Sequence, residues 1–419
     1  MGRVTVTGIG AVSPLGNTFK ESWGSIKAGR SGLGPVNSFD THDVPWKVAG
    51  ELKDFDAGDY LSKNEINRLD RFVQYAVAAS IMAAEDTGLF SHGMSSADRL
   101  SAFTSGGVII GSSRGGIGAI EKALLQCRGS NTVNGNRGGR LSPYLMPSTT
   151  ISMASSAVAL KLGIKGYCLG ISNACASGAN AIGEAYRLIK TGYKGPVLAG
   201  GAESPVCRFC IEGYGITGAL SKGADRNASR PFDRSRDGFV LSEGACILVL
   251  EDYESALARG ADIYGEIIGY GNSTDAFHIT RPKPSGEANA ITMAIKEAGI
   301  RPEEVDHINA HGTATRLGDI AEAEAIGMAF GERAPGIPVT AAKSMTGHML
   351  AASGAFEIAA TLMAIREGVI PPTINLDVQD PACNLNIVQK KTESEIKIAI
   401  SNSFGFGGVN AVIVLRGIL

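Results

Sequence analysis

Tyr167-Cys168-Leu169-Gly170-Ile171-Ser172-Asn173-Ala174-Cys175-Ala176-Ser177-Gly178-Ala179-Asn180-Ala181-Ile182-Gly183-Glu184 is the stretch that decides the fold. A strand-like run ends at Ile171, and a helix-like segment continues to Lys190. A second strand-like run follows at Pro196 to Glu203. A cysteine therefore sits where strand turns to helix, and the first turns of that helix are nearly all Ala, Ser and Gly. Small residues on every side let a helix pack closely all round, which predicts a central, buried position. At a helix N-terminus a cysteine meets unpaired N–H groups and the positive end of the dipole, which favour its thiolate, the nucleophilic form. Read locally, an inert core cysteine fits the same pattern.

Outward from this stretch, strands and helices alternate. Val4 to Gly10 reads as a first strand, Thr18 to Ala28 as a helix and residues 29–65 as irregular. Arg71 to Thr87 has apolar residues at helical spacing. A strand from Ser101 to Ile110 enters the turn Gly111-Ser112-Ser113-Arg114-Gly115-Gly116, which lacks the ending of a phosphate loop. Residues 128–142 read as an exposed loop. Strands are expected at Gly244 to Leu250 and Tyr264 to Gly271, and helices through Arg259, over Gly286 to Ala298 and over Asp319 to Phe330. Asp319-Ile320-Ala321-Glu322 resembles a capping box that starts the last of these. The alternation defines an α/β protein. Ala351-Ala352-Ser353-Gly354-Ala355 echoes Cys175-Ala176-Ser177-Gly178-Ala179, as though two central helices, one per half, share an origin.

At 419 residues the chain exceeds one ordinary domain. A net charge of -2 argues against a nucleic-acid partner. No apolar run is long enough for a bilayer, and the start is not a signal peptide, so a cytoplasmic protein with no membrane partner is expected. Seven cysteines without framework spacing fit free thiols in a reducing compartment. Cys207-Arg208-Phe209-Cys210 has no second pair, so no metal site is expected.

Three further stretches carry chemistry: Asn309-Ala310-His311-Gly312-Thr313, Lys343-Ser344-Met345-Thr346-Gly347-His348 and Asn402-Ser403-Phe404-Gly405-Phe406-Gly407-Gly408. Singly, each histidine reads as a hydrogen-bonded structural residue and the glycine stretch as a turn. Together with Asn173 to Gly178, Arg230-Pro231-Phe232-Asp233 and Arg236-Asp237-Gly238-Phe239-Val240, in this order, they resemble the type II β-ketoacyl-acyl carrier protein synthases over essentially the whole chain.

The resemblance implies the thiolase fold: duplicated halves in five layers, α-β-α-β-α, divided here as residues 1–255 and 256–419. It implies a decarboxylative Claisen condensation. Cys175 takes an acyl group, and His311 and His348 stabilise the enolate formed when a malonyl thioester loses carbon dioxide. Backbone N–H groups of Cys175 and Phe406 hold the tetrahedral oxyanion, and Phe406 gates the acyl pocket. Lys343 and Glu357 organise the field. Thr313, Thr315 and Thr280 bind the phosphopantetheine arm of an acyl carrier protein, with Phe404 and Phe239 also touching substrate. No organic cofactor is then held by the protein itself. Arg68, Arg71, Arg137 and Arg140 are candidates for docking the acidic carrier. A homodimer is implied, with a heterodimer with a synthase-like subunit as the alternative assembly.

Two residues depart from the family pattern. Asn173 replaces the usual Thr, and Arg114 stands where relatives carry a small or aliphatic residue lining the acyl pocket. An unpartnered buried charge there would be costly, so a shortened or polar acyl pocket is expected, suited to polyketide or other specialised acyl groups. Two other readings are open: a non-catalytic partner subunit, which typically lacks the cysteine, and a thiolase, against which the paired histidines argue.

Overall fold

The computed structural model describes residues 2–89, 103–129 and 141–418. Eleven strands form one sheet: β1 (Val4–Val12), β2 (Gly107–Gly111), β3 (Cys168–Ile171), β4 (Val197–Glu203), β5 (Gly244–Asp252), β6 (Gly265–Thr274), β7 (His307–Asn309), β8 (Pro338–Thr340), β9 (Asn386–Ile387), β10 (Ile398–Gly405) and β11 (Val409–Arg416). Their order is β9-β8-β7-β10-β11-β6-β1-β5-β4-β2-β3.

The order contains a repeat. Outward from β1 run β5, β4, β2 and β3, and outward from β6 run β11, β10, β7 and β8. In each run the first two pairings are antiparallel and the next two parallel. Within this sheet the two runs meet where Val4–Val6 pairs with Gly265–Ile267.

The principal helices are α1 (Phe19–Lys27), α2 (Arg71–Asp86), α3 (Met153–Leu162), α4 (Ser177–Lys190), α5 (Arg208–Gly215), α6 (Pro284–Ala298), α7 (Arg316–Phe330) and α8 (Ala351–Glu367). Helices α4 and α8 pack on each other and touch strands of both halves, making the central layer. Outside lie α2 and α3 on the first half, and α6, with α7 packed on it, on the second. This is the five-layer, duplicated α/β arrangement. The all-small sequence of α4 explains its place. A Cβ on Gly178 would stand 2.2 Å from the Ala351 carbonyl oxygen, and one on Gly201 of β4 would stand 2.3 Å from that same atom. Any side chain at either position would push α8 out of the core.

Local signals set several boundaries. Thr18 caps α1 in a reciprocal box with Glu21, and Asp70 caps α2 at Phe72. The helix expected to open at Asp319 instead opens at Arg316, capped by Thr315 accepting from the Gly318 N–H at 3.1 Å. Asp319 is buried, takes the Phe232 and Ala314 N–H groups and pairs with Arg236 at 3.2 Å. Tertiary partners override the local cap. Within residues 29–65 the chain holds a two-strand ribbon, Gly34–Pro35 with Val48–Ala49, and the start of a short helix, Lys63–Arg68. All seven cysteines are free thiols. No helix among the described residues is long and apolar enough to cross a membrane.

Candidate active site

Cys175 lies in a single 3-10 turn, Ala174–Ala176, between β3 and α4. Ala174 has φ +47°, a left-handed conformation unfavourable for a residue with a side chain. Asn173 and Ser177 hold the turn: the Asn173 N–H donates to Ser177 Oγ at 2.8 Å, and that hydroxyl donates to the Ala174 carbonyl at 2.6 Å. Asn173 Nδ2 reaches Asn180 Oδ1 at 3.0 Å, and Asn180 in turn reaches the Tyr270 hydroxyl at 2.7 Å. The amide at position 173 thus extends a polar network behind Cys175.

The Phe406 N–H lies near the thiol and favours its thiolate form. The glycine turn brings it there because Gly405 lies against the cysteine turn; a Cβ on Gly405 would be 3.3 Å from the Cys175 nitrogen. Burial pushes the Cys175 thiol up to about 11, and Lys343 and the Phe406 N–H pull it only part of the way back. The thiolate expected from the helix start is therefore not the resting form. The thiol precedes α4 in a closed turn, and desolvation dominates.

His311 follows β7 and His348 precedes α8, and their rings are 5.4 Å apart, edge to face. Lys343 Nζ donates to the His311 carbonyl at 2.7 Å and to Glu357 at 2.6 Å, and lies 3.3 Å from His311 Nδ1. An ammonium has no lone pair to offer, so His311 Nδ1 accepts and the ring proton sits on Nε2. At His348, Ser353 Oγ accepts the Met349 N–H at 2.9 Å and stands 3.2 Å from His348 Nδ1, a geometry in which the hydroxyl can donate to that nitrogen and leave the ring proton on Nε2. Both imidazoles then present N–H at Nε2. Burial, with Lys343 nearby, holds both well below the usual histidine range, so both are neutral donors. Burial also lifts the Glu357 carboxyl to about 7, against the pull of Lys343.

One cavity of about 410 Å³ joins these groups, within the size range of small-molecule sites. Cys175, His311 and His348 line it, as do Phe239, Phe404 and Phe406. Thr313 and Thr315 lie along it, 3.1 Å apart through their hydroxyls. The exposed Thr280 stands at it too, its own N–H turned to His278. The buried Arg236 fixes this wall by holding the carbonyls of Thr315 and Arg316 at 3.2 and 3.1 Å.

Arg114 does not line the cavity, contrary to the expected lining position. It is exposed; its Nε donates to the Tyr214 hydroxyl at 2.7 Å, and Tyr214 is the lining residue. The turn carrying Arg114 is pinned by the buried Glu203, which accepts from Ser112, Ser113 and Arg114. Arg68 is exposed and stacks on Tyr144, and the exposed Arg71 reaches Glu243 at 3.3 Å. Arg137 and Arg140 lie outside the described residues. Sequence reasoning missed Glu322, which accepts the His311 and Gly312 N–H groups at 2.7 and 2.8 Å and Asn402 at 3.0 Å. Its signal was an acid flanked by Ala321 and Ala323 on a face that turned out to be buried.

A partly buried thiol, two neutral imidazole donors and a backbone N–H at one cavity, on a duplicated five-layer fold, define an acyl-transferring enzyme of the condensing class. Residues 1–256 match the family model for the β-ketoacyl synthase N-terminal domain, and residues 264–377 the one for its C-terminal domain. The chain belongs to the β-ketoacyl synthase family. It is 44% identical over 421 residues to 3-oxoacyl-acyl-carrier-protein synthase 2 of Synechocystis sp., covering 99% of this chain and 98% of that protein. Among solved structures it is similar to the ishigamide ketosynthase/chain length factor, with TM-score 0.91, 35% identity and full coverage of both chains. A type II PKS acyl-carrier protein in complex with its ketosynthase bound to the hexaketide gives TM-score 0.88 and 34% identity, again over all of both chains.

Proposed function

We propose that this enzyme condenses an acyl group held on Cys175 with a malonyl unit delivered on an acyl carrier protein. The observation that carries the reading is the convergence of Cys175, His311 and His348 on one cavity. In the first step the thiol attacks an acyl thioester. The carrier leaves as its thiol, taking up the proton that Cys175 gives up, so the acyl group changes sulfur with no net charge. The oxyanion of this step meets the Phe406 N–H and that of Cys175 itself. In the second step a malonyl thioester loses carbon dioxide, and the negative charge appears on its thioester oxygen. The two Nε2–H groups of His311 and His348 are donors for that oxygen, and their neutrality matters because an imidazolium would protonate the enolate. The enolate carbon attacks acyl-Cys175, the C–S bond breaks to release the Cys175 thiolate, and that thiolate takes up one proton from water. The products are a β-ketoacyl thioester, carbon dioxide and the free thiol.

Lys343 and Glu357 fix the His311 tautomer and hold the field. Thr313, Thr315 and Thr280 take the phosphopantetheine arm, and Phe404, Phe239 and the gate Phe406 shape the space beside it. Arg114 acts on the acyl pocket from behind Tyr214. Arg68 and Arg71, exposed, are candidate carrier contacts, as are Arg137 and Arg140. We place the boundary between the halves at 255/256, between β5 and β6. The enzyme is proposed to work in the cytoplasm as a homodimer. The edge strand β3 supports the dimer: its outer side has no strand partner among the described residues, with Tyr167 and Leu169 exposed, and an open apolar edge invites a second strand.

Intact-protein mass spectrometry with a panel of acyl-carrier thioesters tests the reading. Wild type gains the acyl mass and Cys175→Ala does not. Absence of any adduct on wild type would favour a partner-subunit role.

A further inference from the structure

Beside the groups already assigned, the described cavity wall holds an acid without a task. Glu287 sits in the first turn of α6, is 1% exposed, and lines the cavity. Its Oε2 is buried with no hydrogen-bond partner. The acids around it are engaged. Asp275, at the end of β6, accepts Asn410 Nδ2 at 2.7 Å and the Lys283 N–H at 2.9 Å. Glu322 on α7 holds three N–H groups, and Asp319 is paired with Arg236. Burial first, and then these three neighbours, Glu322 foremost, push the Glu287 carboxyl well above the usual carboxylate range, toward its protonated form. A neutral carboxylic acid is a hydrogen-bond donor, and leaving it unpaired in a core is costly.

We infer that Glu287 is a substrate-binding residue, donating its carboxylic proton to an amide carbonyl of the pantetheine-type arm that enters this cavity. The inference rests on the condensing reading above. The arm is uncharged along its length, carries two amide carbonyls, and passes walls that are largely aromatic and aliphatic. Amide acceptors taken out of water there need donors, and an acid kept neutral by its neighbours meets that need without bringing a charge into the tunnel. A carboxylate would repel the same carbonyl.

The test uses N-ethylpantothenamide, an arm analogue with both amides and no thiol, to protect Cys175 of the intact enzyme from iodoacetamide. Glu287→Leu should raise the half-protecting concentration about fivefold or more, the loss of one hydrogen bond. Glu287→Gln, which keeps a donor, should restore protection. Without the analogue, Cys175 should be alkylated at the same rate in all three proteins. The melting temperature of Glu287→Leu should not fall, because the replacement removes an unpaired polar group. Protection of wild type that is unchanged in Glu287→Leu would overturn the assignment alone, as would a lower melting temperature with slower basal alkylation. No protection of wild type would remove the arm-binding reading of the cavity and this assignment with it.

Discussion

The turns that open the two central helices are built alike and do different work. Residues 172–177 and 348–353 correspond in sequence at a constant offset of 176 (348 − 172). Ala174 and Leu350 both take a positive φ, +47° and +45°. In each turn a serine Oγ accepts the N–H of the residue before that strained position: Ser177 from Asn173 and Ser353 from Met349. The residue after the strain is Cys175 in one and Ala351 in the other. Cys175 faces the cavity, whereas Ala351 is buried with its carbonyl against Gly178 and Gly201. The second turn contributes His348 instead, and its helix contributes Glu357 where the first has Ala181. Duplication supplied a strained helix start twice, and side-chain identity placed a thiol at one and an imidazole at the other.

The largest effect tests that division. Cys175→Ala should lower condensation by about 10³-fold or more, with no acyl mass adduct. Adding Ala351→Cys to it should not restore the adduct, because a thiol at position 351 has no cavity to face; an adduct at that position would break the comparison. Next, His348→Ala and His311→Ala should each lower malonyl decarboxylation by about 10²–10³-fold, the loss of one oxyanion donor. Acylation of Cys175 should persist in both, read as an unchanged mass adduct.

A third measurement concerns the thiol itself. With its pKa raised to about 11, the thiolate fraction grows about tenfold per pH unit below that value. The iodoacetamide alkylation rate of Cys175 should therefore climb steadily from pH 7 to about 10. A plateau below pH 9 would mean that the helix start outweighs burial. The smallest effect separates the two serines. Ser177→Ala and Ser353→Ala should each cost about 1 kcal/mol of stability, seen in denaturant midpoints. Only Ser353→Ala should also slow decarboxylation, by freeing His348 to change tautomer; equal kinetic effects would show that both serines are merely structural.

Legibility followed the range of the interactions. The helical runs of α1 and α2 and the small-residue composition of α4 rest on neighbours within four positions, so the sequence displayed them. The start of α7 was misread because Asp319 and Glu322 form a plausible local box, yet Arg236, Phe232 and His311 claim them from elsewhere in the chain. The family resemblance puts Arg114 where relatives carry a residue lining the acyl pocket. In the fold its Nε bonds the hydroxyl of Tyr214, a residue no pattern had singled out.

From the sequence alone came the α/β alternation, the echo between Cys175–Ala179 and Ala351–Ala355, and the residue types that the chemistry needs, since all are properties of short segments. Tertiary structure alone decided that two halves share one cavity, that both imidazoles are neutral, and that the resting thiol stays protonated. It also left Glu287 Oε2 buried without a partner. Protonation and orientation depend on desolvation and on charges brought together across up to 168 residues, from Cys175 to Lys343 (343 − 175), and no local pattern encodes that distance.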